Sequence, residues 1–475
     1  MNYVVRRLNL GHLKLVAVLA ALLLLLNACG ARLTDAQKAS VRSGQEGTGA
    51  TGGTGGTGTA AASGTTGTGA SGVTTPGATS GTGTSGGDST AAAGGGGGGA
   101  ACTATAGTTG PGVSDGEVKF GNVSTISGPV PGFGETGRDG VQAYFNYINS
   151  QGGVCGRKLT LSTADDRLDA GENRAQFQNL KDSVLGFVGG TTVVDNGGAA
   201  VLEGTNIPDT ALAIGDAAIN SANVFSPNPI VPGGATSGVS GIFSWMKANK
   251  GLTKVAVIYP AQSDARARAD GYQNDIKAAG LEVDGPYEVA VTETNYAGVV
   301  TKMKNDGADG FITALEVNGM ARLAQAVQQV NYQPKVAFYG AQSYGAQFLK
   351  LAGSAAEGTT IGVAYSIFED AGSNPAVQTF LDWYGRTNPG SDPDFFAIMG
   401  WAAADMMVQA LTAAGGAPNR DAVMAALKTF SSFDAHGLVA TCDPPGKHPA
   451  AGFMIAGVQG GKWTRIYPAS GFATS

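Results

Sequence analysis

From Val118 onward the hydrophobic positions change period in a regular order. Val118, Phe120 and Val123 suit a strand, and Asp139 through Val141, Tyr144, Phe145 and Ile148 carries helical spacing. Leu159 and Leu161 then resume alternation. The unit recurs downstream. An amphipathic stretch from Ala170 to Lys181 precedes an apolar strand at Val184 to Val188, a helix near Asp195 to Glu203, and a strand from Ile207 to Ile214. Pro-x-Pro and Pro-Gly-Gly then interrupt the pattern between Pro227 and Gly234. A second series follows, with helices at 237–247, 265–279, 296–305 and 320–330 set between strands at 254–259, 281–291, 310–315 and 335–339. Strands that alternate with helices pair in parallel, so the pattern predicts an α/β protein with two lobes. Phe453 to Val458 and Trp463 to Tyr467 read as closing strands around a Gly460-Gly461 turn.

The first 115 residues have no such pattern. Between Gly47 and Ser114 the only charged residue is Asp88 and there is no aromatic, so this Gly/Thr/Ser/Ala tract cannot offset its ordering entropy and is expected as a disordered tether over 29–115. Ahead of it, Arg6, Arg7 and Lys14 precede an unbroken apolar run from Leu15 to Leu26, short for a membrane span and right for a signal peptide over 1–28. Leu26-Asn27-Ala28-Cys29 resembles the lipobox of bacterial lipoprotein signal peptides, which implies a lipid on Cys29 and an anchor on the extracytoplasmic face of the cell membrane.

Charge and candidate chemistry narrow the function. A net charge of -6 lacks the basic face that nucleic acid requires. Gly83-Thr84-Ser85-Gly86-Gly87 matches the nucleophile elbow of hydrolases but has no strand before it or helix after it. Gly132-Phe133-Gly134-Glu135-Thr136-Gly137 matches the dinucleotide fingerprint, with Asp165-Asp166 following the next strand. Its turn, however, comes off the strand only after Ser127-Gly128-Pro129-Val130-Pro131, so the glycines let a wide loop pass close to a ligand rather than cradle a pyrophosphate. After the leader the chain holds only His436 and His448, without metal spacing, and no nucleophile–base set. We therefore expect no enzyme, no cofactor and no metal. Ligand-facing residues belong where parallel strands end: Ser127, Phe133, Thr191, Thr192 and Ala211 on the first lobe, and Asp264, Glu316, Gln342 and Tyr344 on the second.

Four signals stand in order: Ser127-Gly128-Pro129, Arg138-Asp139-Gly140, Gly152-Gly153 with Gly156-Arg157, and Asp165-Asp166. Together they resemble the opening of type I periplasmic binding proteins of the leucine/isoleucine/valine-binding family. The resemblance implies two Rossmann-like lobes with mostly parallel sheets joined by a three-crossing hinge, with lobe 1 at 116–232 plus 342–447 and lobe 2 at 233–341 plus 448–475. It implies a monomer that closes on a small solute and delivers it to an ABC permease. The family's serine run is replaced here by Thr191-Thr192-Val193-Val194, its hydroxyls after the fourth strand are absent from Ala211 to Asp216, its Tyr-Gly becomes Asp264-Ala265, and an acid becomes Gln342. Either Asp264 or Glu316 meets the ammonium of an amino acid, or the ligand is an amide or organic acid. A sensory or scaffold protein of this fold, and less readily an NAD-dependent enzyme, are the alternative readings. Beside Cys29 there are three cysteines; Cys102 has the reach to pair with Cys155, and Cys442 is a competitor.

Overall fold

Short apolar strands and one-sided helices build two sheets. The computed structural model describes residues 102–108, 110–128, 133–229 and 238–474, apart from the side chains of Ser263 and Asp264. The first sheet contains β1 (Glu117–Ser124), β2 (Lys158–Asp165), β3 (Phe187–Thr191), β4 (Asp209–Leu212) and β5 (Val224–Phe225). Their order is β2-β1-β3-β4-β5, all parallel. Between them run α1 (Glu135–Ser150), α2 (Ala170–Leu180), α3 (Asn196–Leu202) and α4 (Asp216–Asn220). The buried stripe of α1 is Val141, Tyr144 and Phe145, at the spacing its sequence sets. Helix α2 starts where the Asp169 side chain accepts from the Glu172 N–H.

The second sheet is longer. It contains β6 (Lys254–Pro260), β7 (Glu282–Val289), β8 (Gly310–Thr313), β9 (Val336–Tyr339), β10 (Thr359–Val363), β11 (Gly452–Gln459) and β12 (Lys462–Tyr467), ordered β12-β11-β10-β9-β8-β6-β7, with β13 (Ala473–Thr474) pairing β11. The five strands from β6 to β10 are parallel, while β11 and β12 join antiparallel at one side. Its helices are α5 (Ser240–Lys250), α6 (Ser263–Ala278), α7 (Ala297–Asn305), α8 (Val317–Gln329) and α9 (Ala346–Ala352).

After β10 the chain returns to the first sheet as α10 (Pro375–Thr387), α11 (Phe395–Ala414) and α12 (Arg420–Leu427). Helix α11 is apolar enough and, at 20 residues, long enough to cross a membrane, yet it is buried nearly throughout and serves as the core helix of this lobe. The Ala403 carbonyl accepts from Thr210 Oγ1 of β4 at 2.9 Å. Trp401 packs edge-on against Tyr144 at 4.8 Å. Gly140 and Gly400 let α1 and α11 approach so closely that a Cβ on Gly140 would stand 2.2 Å from the Ala397 carbonyl oxygen, and one on Gly400 1.9 Å from that of Gly137.

The chain passes between the sheets three times: after β5, after β10 and before β11. The passages touch. Ala440 N–H donates to the Ala364 carbonyl at 2.7 Å, Ser366 N–H to that of Leu438 at 2.8 Å, and Cys442 Sγ lies 3.6 Å from the Pro227 carbonyl oxygen.

Two boundaries differ from the sequence expectation. Residues 342–363 do not return to the first lobe, because β10 pairs in parallel with β9 and accepts β11 on its other side. Its alternating buried positions, Thr359, Ile361 and Val363, suit a sheet interior. The tether expected over 29–115 is also too long. Cys102 is bonded to Cys155 by a disulfide, and Val113 is buried and bridges to Val118. Arg157, 1% exposed, donates to the carbonyls of Ser114, Gly416 and Thr105 at 2.7, 2.7 and 3.2 Å. The signal peptide, Cys29 and the tether up to residue 101 lie outside the described residues.

Candidate functional site

The first two passages leave from the C-terminal ends of β5 and β10. The parallel strands of each sheet therefore end toward the hinge, and the two rows of strand ends oppose one another there. Ligands of parallel sheets gather at such ends.

On the first lobe most polar groups at this edge bond to one another. Thr125 Oγ1 lies 2.7 Å from Asp166 Oδ1 and 2.9 Å from Thr192 Oγ1. A hydroxyl has one proton. With that of Thr125 given to the carboxylate, the Thr192 hydroxyl donates to Thr125 and accepts from Val194 N–H at 3.2 Å. Thr192 is only 4% exposed and Thr191 1%, and the Thr191 N–H is bonded to Ser124 Oγ at 3.1 Å. Asp166 also takes the Leu168 N–H and the Asn173 side-chain amide, at 3.0 and 2.9 Å. The Ser127 hydroxyl donates to Asp165, which further accepts from the N–H groups of Ile126, Ser127 and Arg167. Partial burial opposes ionisation there, but the hydroxyl and the three N–H donors outweigh it and hold the Asp165 carboxyl down to about 2. Ala211 is buried within its strand.

The second lobe uses its polar residues similarly. Glu316 caps α8, accepting from Asn318 N–H at 2.7 Å and Gly319 N–H at 2.5 Å, with the Asn318 side chain at 2.8 Å. Gln342 donates to the Leu315 carbonyl at 3.0 Å. Tyr344 is 1% exposed, enclosed by Tyr365, Phe368 and Trp463, and its hydroxyl donates to Glu369 at 2.8 Å while accepting from Phe368 N–H. It braces the second passage. Asp264 lies in the first turn of α6, and its side chain is outside the described ones.

Ser127 and Glu316 keep exposed surface, and apolar side chains share the accessible edge with them. Val193, just past β3, is 38% exposed. Phe133 meets Phe396 edge-on with centroids 4.9 Å apart, both rings half-buried. Phe396 belongs to the first turn of α11, where Asp394 accepts from Ala397 N–H at 3.0 Å and from Thr136 Oγ1 at 2.8 Å. Phe395 turns inward against Tyr365. The sequence reading missed Phe396, although Asp-Phe-Phe at a helix start offers the signal, since adjacent helical residues point to different sides. Gly345 bridges to Asp394, bringing the second lobe against this same turn. Among the described residues no group of three or more His, Cys, Asp or Glu could hold a metal ion.

The sequence from 117 to 462 matches the family model of the periplasmic binding proteins. The chain belongs to that family. As a periplasmic binding protein it is 23% identical to a Leu/Ile/Val-binding protein homologue of Brucella melitensis, across 66% of this chain and 83% of that protein. A fatty acid ABC transporter substrate-binding protein from Thermomonospora curvata superposes with a TM-score of 0.65 at 19% identity, covering 77% of this chain and 94% of the other. A branched-chain amino acid ABC transporter protein from Thermus thermophilus with bound valine gives 0.64 at 17%, covering 76% and 97%. At these identities the superpositions show the two-lobe type I fold. What each of those proteins binds stays its own property.

Proposed function

We propose that this periplasmic binding protein is the solute-binding component of an ABC importer, held as a monomer on the extracytoplasmic face of the cell membrane by lipid on Cys29. It binds a small polar or amphipathic solute, an amino acid, amide or related organic acid, between its lobes and carries out no chemistry on it. The observation that supports this most is the opposition of two rows of strand ends across touching passages. A ligand bonded to both rows stabilises the closed arrangement by its differential affinity, and a permease can read lobe orientation. The named activities of the relatives, binding of Leu/Ile/Val, of fatty acid or of valine, are consistent with this reading.

The test is titration of the intact chain with amino acids, amides and small organic acids. A binding solute raises the unfolding temperature and shrinks the radius of gyration in small-angle scattering. A panel without either response would sink the proposal. Cys29→Ser is expected to move the protein from the membrane fraction to the soluble one.

A further inference from the structure

Side chains alternate between the two faces of β4. Thr210 points to α11, where its hydroxyl donates to the Ala403 carbonyl, so Asp209, Ala211 and, just past the strand, Ala213 share the opposite face. That face packs with Ala199 of α3 and Ala218 of α4. Alanine side chains stop at Cβ, and a cavity of about 20 Å³ remains among them, enough for a single ion or water. The polar side chains that line it are Thr192, Asp195 and Asp209.

These side chains offer lone pairs. Asp209 is 5% exposed, and its Oδ1 has no hydrogen-bond partner among the described residues. Asp195 is half-buried and accepts the N–H groups of Ile214 and Gly215 through Oδ2, at 2.9 and 3.0 Å. The Thr192 hydroxyl gives its proton to Thr125 and takes the Val194 N–H, which leaves it one lone pair. A water would bring two protons to this set but also lone pairs that need donors, whereas a cation needs lone pairs only. Charge favours the same occupant. Lys447 acts on Asp209, yet its ammonium is directed to the Val224 carbonyl and stands 5.7 Å from the centre of the Phe225 ring. Two carboxylates against one ammonium leave a negative charge inside the lobe, and an uncompensated buried charge is costly. A divalent ion suits the site less, because Ca²⁺ takes about 6–8 oxygens and Mg²⁺ keeps waters for which the cavity has no room.

We propose that this cavity binds one dehydrated monovalent cation, sodium or potassium, between the Asp195 and Asp209 carboxylates, with the Thr192 hydroxyl as a further ligand. The ion ties β4 to the Thr192–Thr125–Asp166 chain of hydrogen bonds at the strand ends of the first lobe. The test is urea unfolding of the intact chain at about pH 8 and constant ionic strength of about 0.1 M, in sodium, potassium or choline chloride. Choline screens surface charge equally and is too large for the cavity. A site with a dissociation constant of about 10 mM lowers the unfolding equilibrium constant about 10-fold in the metal ion that fits, relative to choline, and Asp209→Asn removes that difference. Crystals of the wild type soaked in thallium(I) are expected to show an anomalous peak between the two carboxylates, a readout that does not depend on the variant folding. Equal stability in all three salts overturns the proposal and assigns the cavity to a water or to a proton shared by the acids. A sodium or potassium effect that persists in Asp209→Asn, or thallium bound only elsewhere, overturns it as well.

Discussion

Asp209 opens β4 with its side chain turned into the first lobe, 5% exposed, and Oδ1 has no hydrogen-bond partner among the described residues. It lines a cavity of about 20 Å³ together with Asp195, Thr192, Ala211 and Val224. Burial first, and the charge of Asp195 second, push its carboxyl up to about 7 against the opposing pull of Lys447. A carboxyl whose pKa is raised on folding gives stability that is complete below the unfolded value near 3.8 and is lost as pH climbs through about 7. Urea unfolding between pH 4 and 8 should show the wild type falling relative to Asp209→Asn, by on the order of 4 kcal/mol across that window. A flat difference would mean that Asp209 stays ionised. Pro208-Asp209-Thr210 falls inside the strand read from Ile207 to Ile214, but nothing in the local sequence announces that its acid is buried. Thr191 and Thr192 were legible as residues at a strand end, whereas only the three-dimensional neighbours, Ser124, Thr125 and Asp166, decide that their polar groups serve the protein itself.

Among the elements, α8 shows why a strand-end acid is not thereby a ligand residue. Glu316 satisfies N–H groups that an α-helix leaves without internal partners. Glu316→Ala should destabilise the fold by about 1 kcal/mol in chemical denaturation, as loss of an N-cap does, and leave solute affinity unchanged. A selective loss of affinity would return Glu316 to the binding site. The loop after α12 offers a second case. Ala435 and His436 both hold positive φ, at 47° and 60°, a conformation disfavoured for residues with a Cβ. His436 Nε2 stands 3.4 Å from Asp405 Oδ1, which also receives the Tyr144 hydroxyl at 2.6 Å, while Gln409 donates to Asp405 Oδ2 at 3.0 Å. The hydrogen bond to Asp405 raises the His436 pKa although burial opposes it, and the charges of Asp405 and Asp434 add to the rise. The stabilisation is thus present below the usual histidine value of 6.5 and lost as pH rises through the raised one. Because the next residues bond to the second passage, hydrogen exchange at Ser366 and Ala440 should quicken above that pH beyond the intrinsic rate change. In His436→Ala this additional change should vanish; its persistence would assign the effect to another group.

For the whole molecule, the Cys102–Cys155 disulfide spans 53 residues and fastens the end of the tether to the first lobe. Chain entropy alone puts its contribution at about 4 kcal/mol, so Cys102→Ser should lower the denaturation midpoint by the corresponding amount while Cys442, buried and free, remains unpaired. Retention of full stability would mean that the Arg157 contacts suffice to hold the segment. Alternation of strand and helix from Val118 to Tyr339, and with it two parallel sheets, was readable because hydrophobic period reports which face each element buries, a property local to the element. The return point was not, since β10 belongs to the second sheet only by pairing with β9 and β11, the latter about 90 residues away. Likewise Cys102 and Arg157 could be named from the sequence, but that Arg157 reaches carbonyls at 105, 114 and 416 depends on how distant segments meet. The sequence by itself determined the fold class, the strand ends and the residue types that stand there. Which of their polar groups the folded chain itself bonds was decided only by the tertiary structure, because a buried donor or acceptor takes its partner from residues that are distant in sequence.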